Sequence, residues 1–147
     1  MSDRQSVTIV LVDDDPDEHF LFRADLEDAG IHFEFQAFTR PEDALDWLGA
    51  TPGIPVMVLS DLSLAGHDAV DFIARTEPLI RDGAVGVYSG TRNPEVEAKC
   101  REAGASFYIV KPVTRPVFEE TLSGLSVFEL EDRDGKLHLV LSSSAAA

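Results

Sequence analysis

One cysteine, few basic side chains and no long apolar run each narrow what this chain can be. A lone Cys100 excludes an internal disulfide and fits a reducing compartment. Twelve Lys and Arg stand against 27 Asp and Glu, a net charge of −15. Nucleic-acid binding needs a basic face to displace counterions from phosphates, so that partner class is not expected. No segment approaches the ~20 apolar residues of a membrane span. The opening MSDRQS lacks the hydrophobic region of a secretion signal. A cytoplasmic protein without membrane contact is therefore expected. What is present, 147 residues of which 44% are hydrophobic, suits one domain with a full core.

Buried-strand patterns alternate with helix-period segments, the signature of an α/β domain with a parallel sheet. Thr8 to Val12, Pro55 to Ser60, Ala84 to Tyr88 and Ser106 to Val110 are short apolar runs, and Phe33 to Phe38 suits a further strand. Between them lie helical segments opening at Pro16, Pro41, Ala69, Pro94 and Pro116. Asp15 is a cap for the first helix, with Pro16 at its first position and Glu18 placed to complete a capping box. Five such β-α units predict a doubly wound (βα)5 fold, strand order 2-1-3-4-5, over residues 1–125.

Residues 126–147 read differently. Phe128 and Leu130, then Leu137, Leu139 and Leu141, alternate with polar residues around Asp132-Arg133-Asp134-Gly135, a hairpin signal. The apolar face of this C-terminal hairpin must be covered, either by its own domain or by a second copy or partner. Both readings stay open here.

The chemistry sits at the strand ends. Asp13 and Asp14 follow the first strand, Asp61 the third, Ser89 closes the fourth and Lys111 follows the fifth. A parallel sheet puts all its carboxyl ends on one edge, where ligands bind. Three converging carboxylates repel unless a cation intervenes, and magnesium suits carboxylate and phosphate oxygens. An Asp carboxylate can act as a nucleophile toward phosphorus, with a lysine and a hydroxyl neutralising the charge.

These residues resemble the receiver domains of two-component response regulators, in stand-alone, chemotaxis-regulator-like form. The likeness runs from about Thr8 to Leu125 and rests on Val12-Asp13-Asp14, Asp61-Leu62-Ser63-Leu64, Ser89, Tyr108 and Lys111-Pro112 in the proper order. It implies a phosphoacceptor at Asp61 and magnesium held by Asp13, Asp14, Asp61 and the Ser63 backbone carbonyl. It also implies phosphoryl contacts from Ser89 and Lys111, a switch formed by Ser89 and Tyr108, and a cis bond before Pro112. The implied phosphodonor is a sensor histidine kinase or phosphotransfer protein, with self-catalysed phosphorylation and dephosphorylation. Output would pass through contacts with an unidentified downstream protein or a homodimer, since no effector segment follows.

Three positions depart from the family pattern: Ala65 where proline is usual, Ala69 where glycine is, and Gly90 where alanine is. They bear on the shape and rate of the site loops. Gly66 is a candidate to relieve the turn. His19, His32, His67 and His138 have no metal-ligand spacing and read as structural or exposed. Cys100 and Trp47 read as packing. Two competing functions are a phosphorylation-independent interaction module and an aspartyl-nucleophile phosphatase. The phosphatase generally needs a second acid two residues after the nucleophile, where Ser63 stands.

Overall fold

The computed structural model describes residues 4–62 and 68–142. Ser63, Ala65, Gly66 and His67 lie outside the described residues. Strand β1 (Thr8–Val12) is central, flanked by β3 (Glu34–Phe38) and β4 (Val56–Ser60), with β5 (Gly83–Ser89) and β6 (Phe107–Val110) beyond. All neighbours run parallel, giving the order β3-β1-β4-β5-β6, which is the expected 2-1-3-4-5 pattern.

Alternation along these strands builds two cores. Ile9, Leu11, Met57, Leu59, Tyr88 and Ile109 face α1 (Pro16–Asp28) and α5 (Arg115–Ser123), which contribute Phe22, Leu26, Phe118 and Leu122. Val10, Val12, Val58, Val85 and Val87 face the other way. They pack against Leu45 and Leu48 of α2 (Pro41–Ala50), Phe72 and Ile73 of α3 (Ala69–Thr76), and Cys100 of α4 (Pro94–Ala103). Both faces of the sheet are thus covered, which is why its interior strands read as continuous apolar runs.

The helices begin where their caps dictate. Asp15, Asp68, Asn93 and Thr114 each accept a backbone N–H of the following turn. The capping box at α1 does not form. The Asp15 N–H is donated to Asp13 Oδ1 at 3.0 Å instead of to Glu18. That frees the Glu18 carboxylate to turn toward Lys111.

Gly86 shows how tight the sheet face is. A Cβ added there would lie 2.4 Å from the Phe107 ring on the neighbouring strand. Gly86→Ala is expected to destabilise the fold by about 1–3 kcal/mol through overpacking. The midpoint of urea unfolding, at unchanged slope, measures it.

A short strand that was not predicted precedes the Phe33–Phe38 segment. Ile31–His32 forms β2, a separate piece that pairs with the C-terminal hairpin, and only Glu34–Phe38 joins the main sheet. The hairpin itself comprises β7 (Phe128–Arg133) and β8 (Lys136–Leu141), antiparallel, in a small sheet ordered β2-β8-β7. Asp134 and Gly135 take φ of 57° and 84°, the left-handed pair that a two-residue hairpin turn requires. Phe128 and Leu139 are buried in the same core as Val7, Ile31 and Leu125. The hairpin's apolar face is therefore covered by its own chain.

The outer edge of β7 is protected by charge. Arg4 pairs with Glu129 and Glu131, and Arg133 with Glu131. Charged side chains along an edge strand oppose uncontrolled strand addition.

Candidate functional site

The parallel ladder runs one residue past the strands, and this mounts the polar side chains. Asp13 N–H donates to Phe38 O, Asp61 N–H to Val12 O, and Lys111 N–H to Ser89 O, at 3.0, 3.0 and 2.8 Å. Asp13, Asp61, Ser89 and Lys111 consequently stand along one edge, tied to the core by backbone bonds.

The carboxylates of Asp13, Asp14 and Asp61 each present an oxygen within 4.8 Å of the others. Asp13 is 1% exposed and Asp61 9%, while Asp14 faces solvent. Lys111 enters this cluster from β6. Its Nζ lies 3.1 Å from Asp13 Oδ2, 3.3 Å from Glu18 Oε2 and 3.7 Å from Asp61 Oδ1. The same ammonium sits 5.2 Å from the centre of the Tyr88 ring. The Lys111–Pro112 bond is cis.

Charge balance decides what this edge can hold. One ammonium faces the carboxylates of Asp13, Asp14, Asp61 and Glu18, so negative charge is left over where solvent is partly excluded. Crowded oxygen ligands with surplus negative charge form a fitting donor set for a hard divalent cation. Burial alone would push the Lys111 ammonium down. The Asp13 and Glu18 hydrogen bonds and the Asp61 charge together outweigh it and raise the pKa. The lysine is therefore charged at neutral pH. While its carboxylate partners are ionised, the stabilisation from this pairing is fully present below the ordinary lysine range and is lost as alkaline pH rises through the raised value. Tyr88 is held as a neutral phenol. Burial raises its pKa, a backbone hydrogen bond at Val113 opposes this, and Asp25, Glu18 and Asp13 add to the rise.

A second set of contacts leads away from the edge. Ser89 Oγ accepts the Thr91 N–H at 3.4 Å. Tyr108, 7% exposed, donates its hydroxyl to Thr91 O at 2.5 Å. The Arg92 guanidinium lies 5.0 Å from the centre of the Tyr108 ring and binds Glu97 Oε1 at 3.0 Å. Ser89, Tyr108 and the start of α4 are thus linked through one short loop. Gly90, in that loop, has open space where a Cβ would go, so steric need does not explain it. Ala69, the other described departure, is buried as the first residue of α3.

Glu18, His19, Thr91 and Arg92 are the neighbours that reading the sequence missed. Glu18 was assigned to a cap, and His19, whose Nε2 lies 2.7 Å from Asp13 O, only to a structural or exposed role. The available signal was their place in the first turn after the acidic pair. Arg92 carried no signal, because its contacts with Tyr108 are made across the loop to β6.

A family model described as the response regulator receiver domain matches residues 9–123. The chain belongs to that family. Receiver domains are phosphoacceptor switches that bind a divalent metal and interact with histidine kinases or phosphotransfer proteins. Comparison with curated proteins returned no match. Among solved structures, the bacteriophytochrome response regulator AtBRR is 25% identical with a TM-score of 0.74, covering 88% of this receiver chain and 99% of its own. A receiver domain from Rhodospirillum rubrum is 29% identical with a TM-score of 0.65, covering 80% and 91%. A response regulator from Burkholderia pseudomallei, described with a phosphorylated aspartic acid, calcium and citrate, is 23% identical with a TM-score of 0.64, covering 80% and 65%. Among the described residues of this receiver, no helix is long and apolar enough to cross a membrane.

Proposed function

We propose that this receiver is the phosphoacceptor switch of a cytoplasmic His-Asp phosphorelay, phosphorylated on Asp61 in a magnesium-dependent reaction. The observation that carries the proposal is the meeting of the Asp13, Asp14 and Asp61 carboxylates with the Lys111 ammonium at one sheet edge. Asp61 supplies the nucleophile. One of its carboxylate oxygens bonds to phosphorus as the bond to the donor's imidazole nitrogen breaks, and the donor keeps the electron pair and takes a proton. Asp13, Asp14, Asp61 and the Ser63 carbonyl would hold magnesium, which would offset charge on the phosphoryl oxygens. Lys111 turns from the carboxylates toward the same oxygens, and the Ser89 hydroxyl donates to another.

Signal output follows as a shift between two arrangements of one face. A phosphoryl group that draws in Ser89 acts on Thr91, and through it on the Tyr108 hydroxyl and the Arg92-Glu97 pair. The affected face comprises α4, β6 and α5, which we assign to the downstream partner. For the phosphodonor, α1 offers Phe20 and Leu21, which are 72% and 50% exposed and sit beside Glu18 and His19. Large apolar groups left in water next to a reactive site suit a transient docking surface. A homodimer is not needed to cover the hairpin, whose apolar face is already buried.

Incubation with acetyl phosphate tests the reading. The chain should gain one hydroxylamine-sensitive acyl phosphate with magnesium present and none after chelation. Failure to label with magnesium would favour a phosphorylation-independent interaction module. Sustained hydrolysis of an added phosphate ester would favour the phosphatase.

A further inference from the structure

One of the three carboxylates around Lys111 stands apart from the acidic cluster. Asp13 and Asp61 join Asp14 in the group whose oxygens converge, and Glu18 is not among them. Glu18 nevertheless brings Oε2 to 3.3 Å from the Lys111 Nζ, between the 3.1 Å of Asp13 and the 3.7 Å of Asp61. Local structure leaves it free to do so. Pro16 opens α1 without an N–H, the Glu18 N–H is donated to Asp15 O, and the Asp15 N–H to Asp13 Oδ1. The Glu18 side chain is therefore not drawn back into a cap, and Lys111 is its ion-pair partner among the described residues. It is 30% exposed, against 2% for the Asp13 side chain and 12% for that of Asp61. The ammonium thus sits between two buried carboxylates and one at the rim.

The Lys111 ammonium and a divalent cation at the acidic cluster claim the same oxygens of Asp13 and Asp61. Like charges this close repel, and the lysine's flexible four-carbon stem lets its head move without disturbing β6. Glu18 is the acceptor within its reach that lies outside the cluster. Building on the phosphorelay reading, we propose that Glu18 is a positioning residue that takes up the Lys111 ammonium when a cation occupies the cluster. It then competes with the incoming phosphoryl group for that ammonium. Two effects of opposite sign follow. Glu18 favours metal binding, because it draws the lysine off the shared oxygens. It slows transfer, because it delays the lysine's arrival at the phosphoryl oxygens. A packing role in α1 gives no such opposition.

The test is Glu18→Gln in the full chain, read by magnesium calorimetry and by acetyl phosphate labelling at saturating magnesium. Magnesium binding should weaken about three- to fivefold and labelling should quicken by a similar factor, the range a partly exposed charge contact supports. Glu18→Asp keeps the charge but withdraws it by one methylene, and should change both quantities in the same directions. Asp17→Asn removes an exposed carboxylate one residue earlier and should move both far less. On a Lys111→Ala background, Glu18→Gln should no longer alter the labelling rate, since the two residues act as a pair. Both quantities unchanged in Glu18→Gln, both falling together, an equal response to Asp17→Asn, or a rate effect that persists without Lys111 would overturn the proposal. A parent chain that takes no label overturns the phosphorelay reading instead, and the ratio of magnesium affinities between parent and Glu18→Gln still decides the role of Glu18.

Discussion

Asp61→Asn is expected to abolish labelling by acetyl phosphate completely, because the amide cannot donate an electron pair to phosphorus as a carboxylate does. The substitution keeps the shape and one acceptor oxygen at a position that is 9% exposed, so the fold should survive. The same change should stabilise the metal-free protein by about 0.5–2 kcal/mol, the usual consequence of relieving strain held for function. It removes one carboxylate from a cluster whose shared ammonium lies nearer Asp13, at 3.1 Å, than Asp61, at 3.7 Å. Magnesium should raise the melting temperature less in the variant than in the parent, since one ligand is gone. Thermal unfolding with and without magnesium reads both effects. Label surviving in Asp61→Asn would place the acceptor elsewhere.

Lys111→Ala should separate metal binding from phosphoryl transfer. In the metal-free protein the ammonium pairs with Asp13, Glu18 and Asp61. A divalent cation must compete with it for those oxygens, so removing it should tighten magnesium binding. Transfer should nevertheless slow by about 10²–10³-fold, the cost of losing one preorganised donor to the developing phosphoryl charge. Magnesium titration by calorimetry and the rate of acetyl phosphate labelling give the two numbers. Weaker magnesium binding in the variant would show that the lysine organises the carboxylates more than it competes with them. A labelling rate that stayed at the parental level would remove Lys111 from the reaction.

Much of this organisation was written locally. The strands that hold the chemistry, β1, β4, β5 and β6, are buried on both faces, so each is a short apolar run followed directly by its polar residue. Asp13, Asp61, Ser89 and Lys111 were legible for that reason. The hairpin was legible from its alternation and its Asp-Gly turn. Strand β2 was not, because its pairing partner is more than a hundred residues away and nothing local distinguishes Ile31-His32 from the start of β3. Glu18 was misread because two acceptors competed for the Asp15 N–H, and only the fold shows that Asp13 takes it. Arg92 and Thr91 depend on loop geometry, which periodicity does not encode.

The hydrogen bonds that carry the ladder past the strand ends have a consequence for solvent exchange. The amide hydrogens of Asp13, Asp61 and Lys111 are donated to carbonyls of the neighbouring strands or strand ends. Such amides trade with deuterium only when the sheet itself opens, so their protection should follow global unfolding. The Thr91 amide, given to the Ser89 hydroxyl at 3.4 Å, should exchange far sooner. The reactive groups of this receiver therefore ride on the slowest-opening part of the chain, and its responsive loop on one of the fastest.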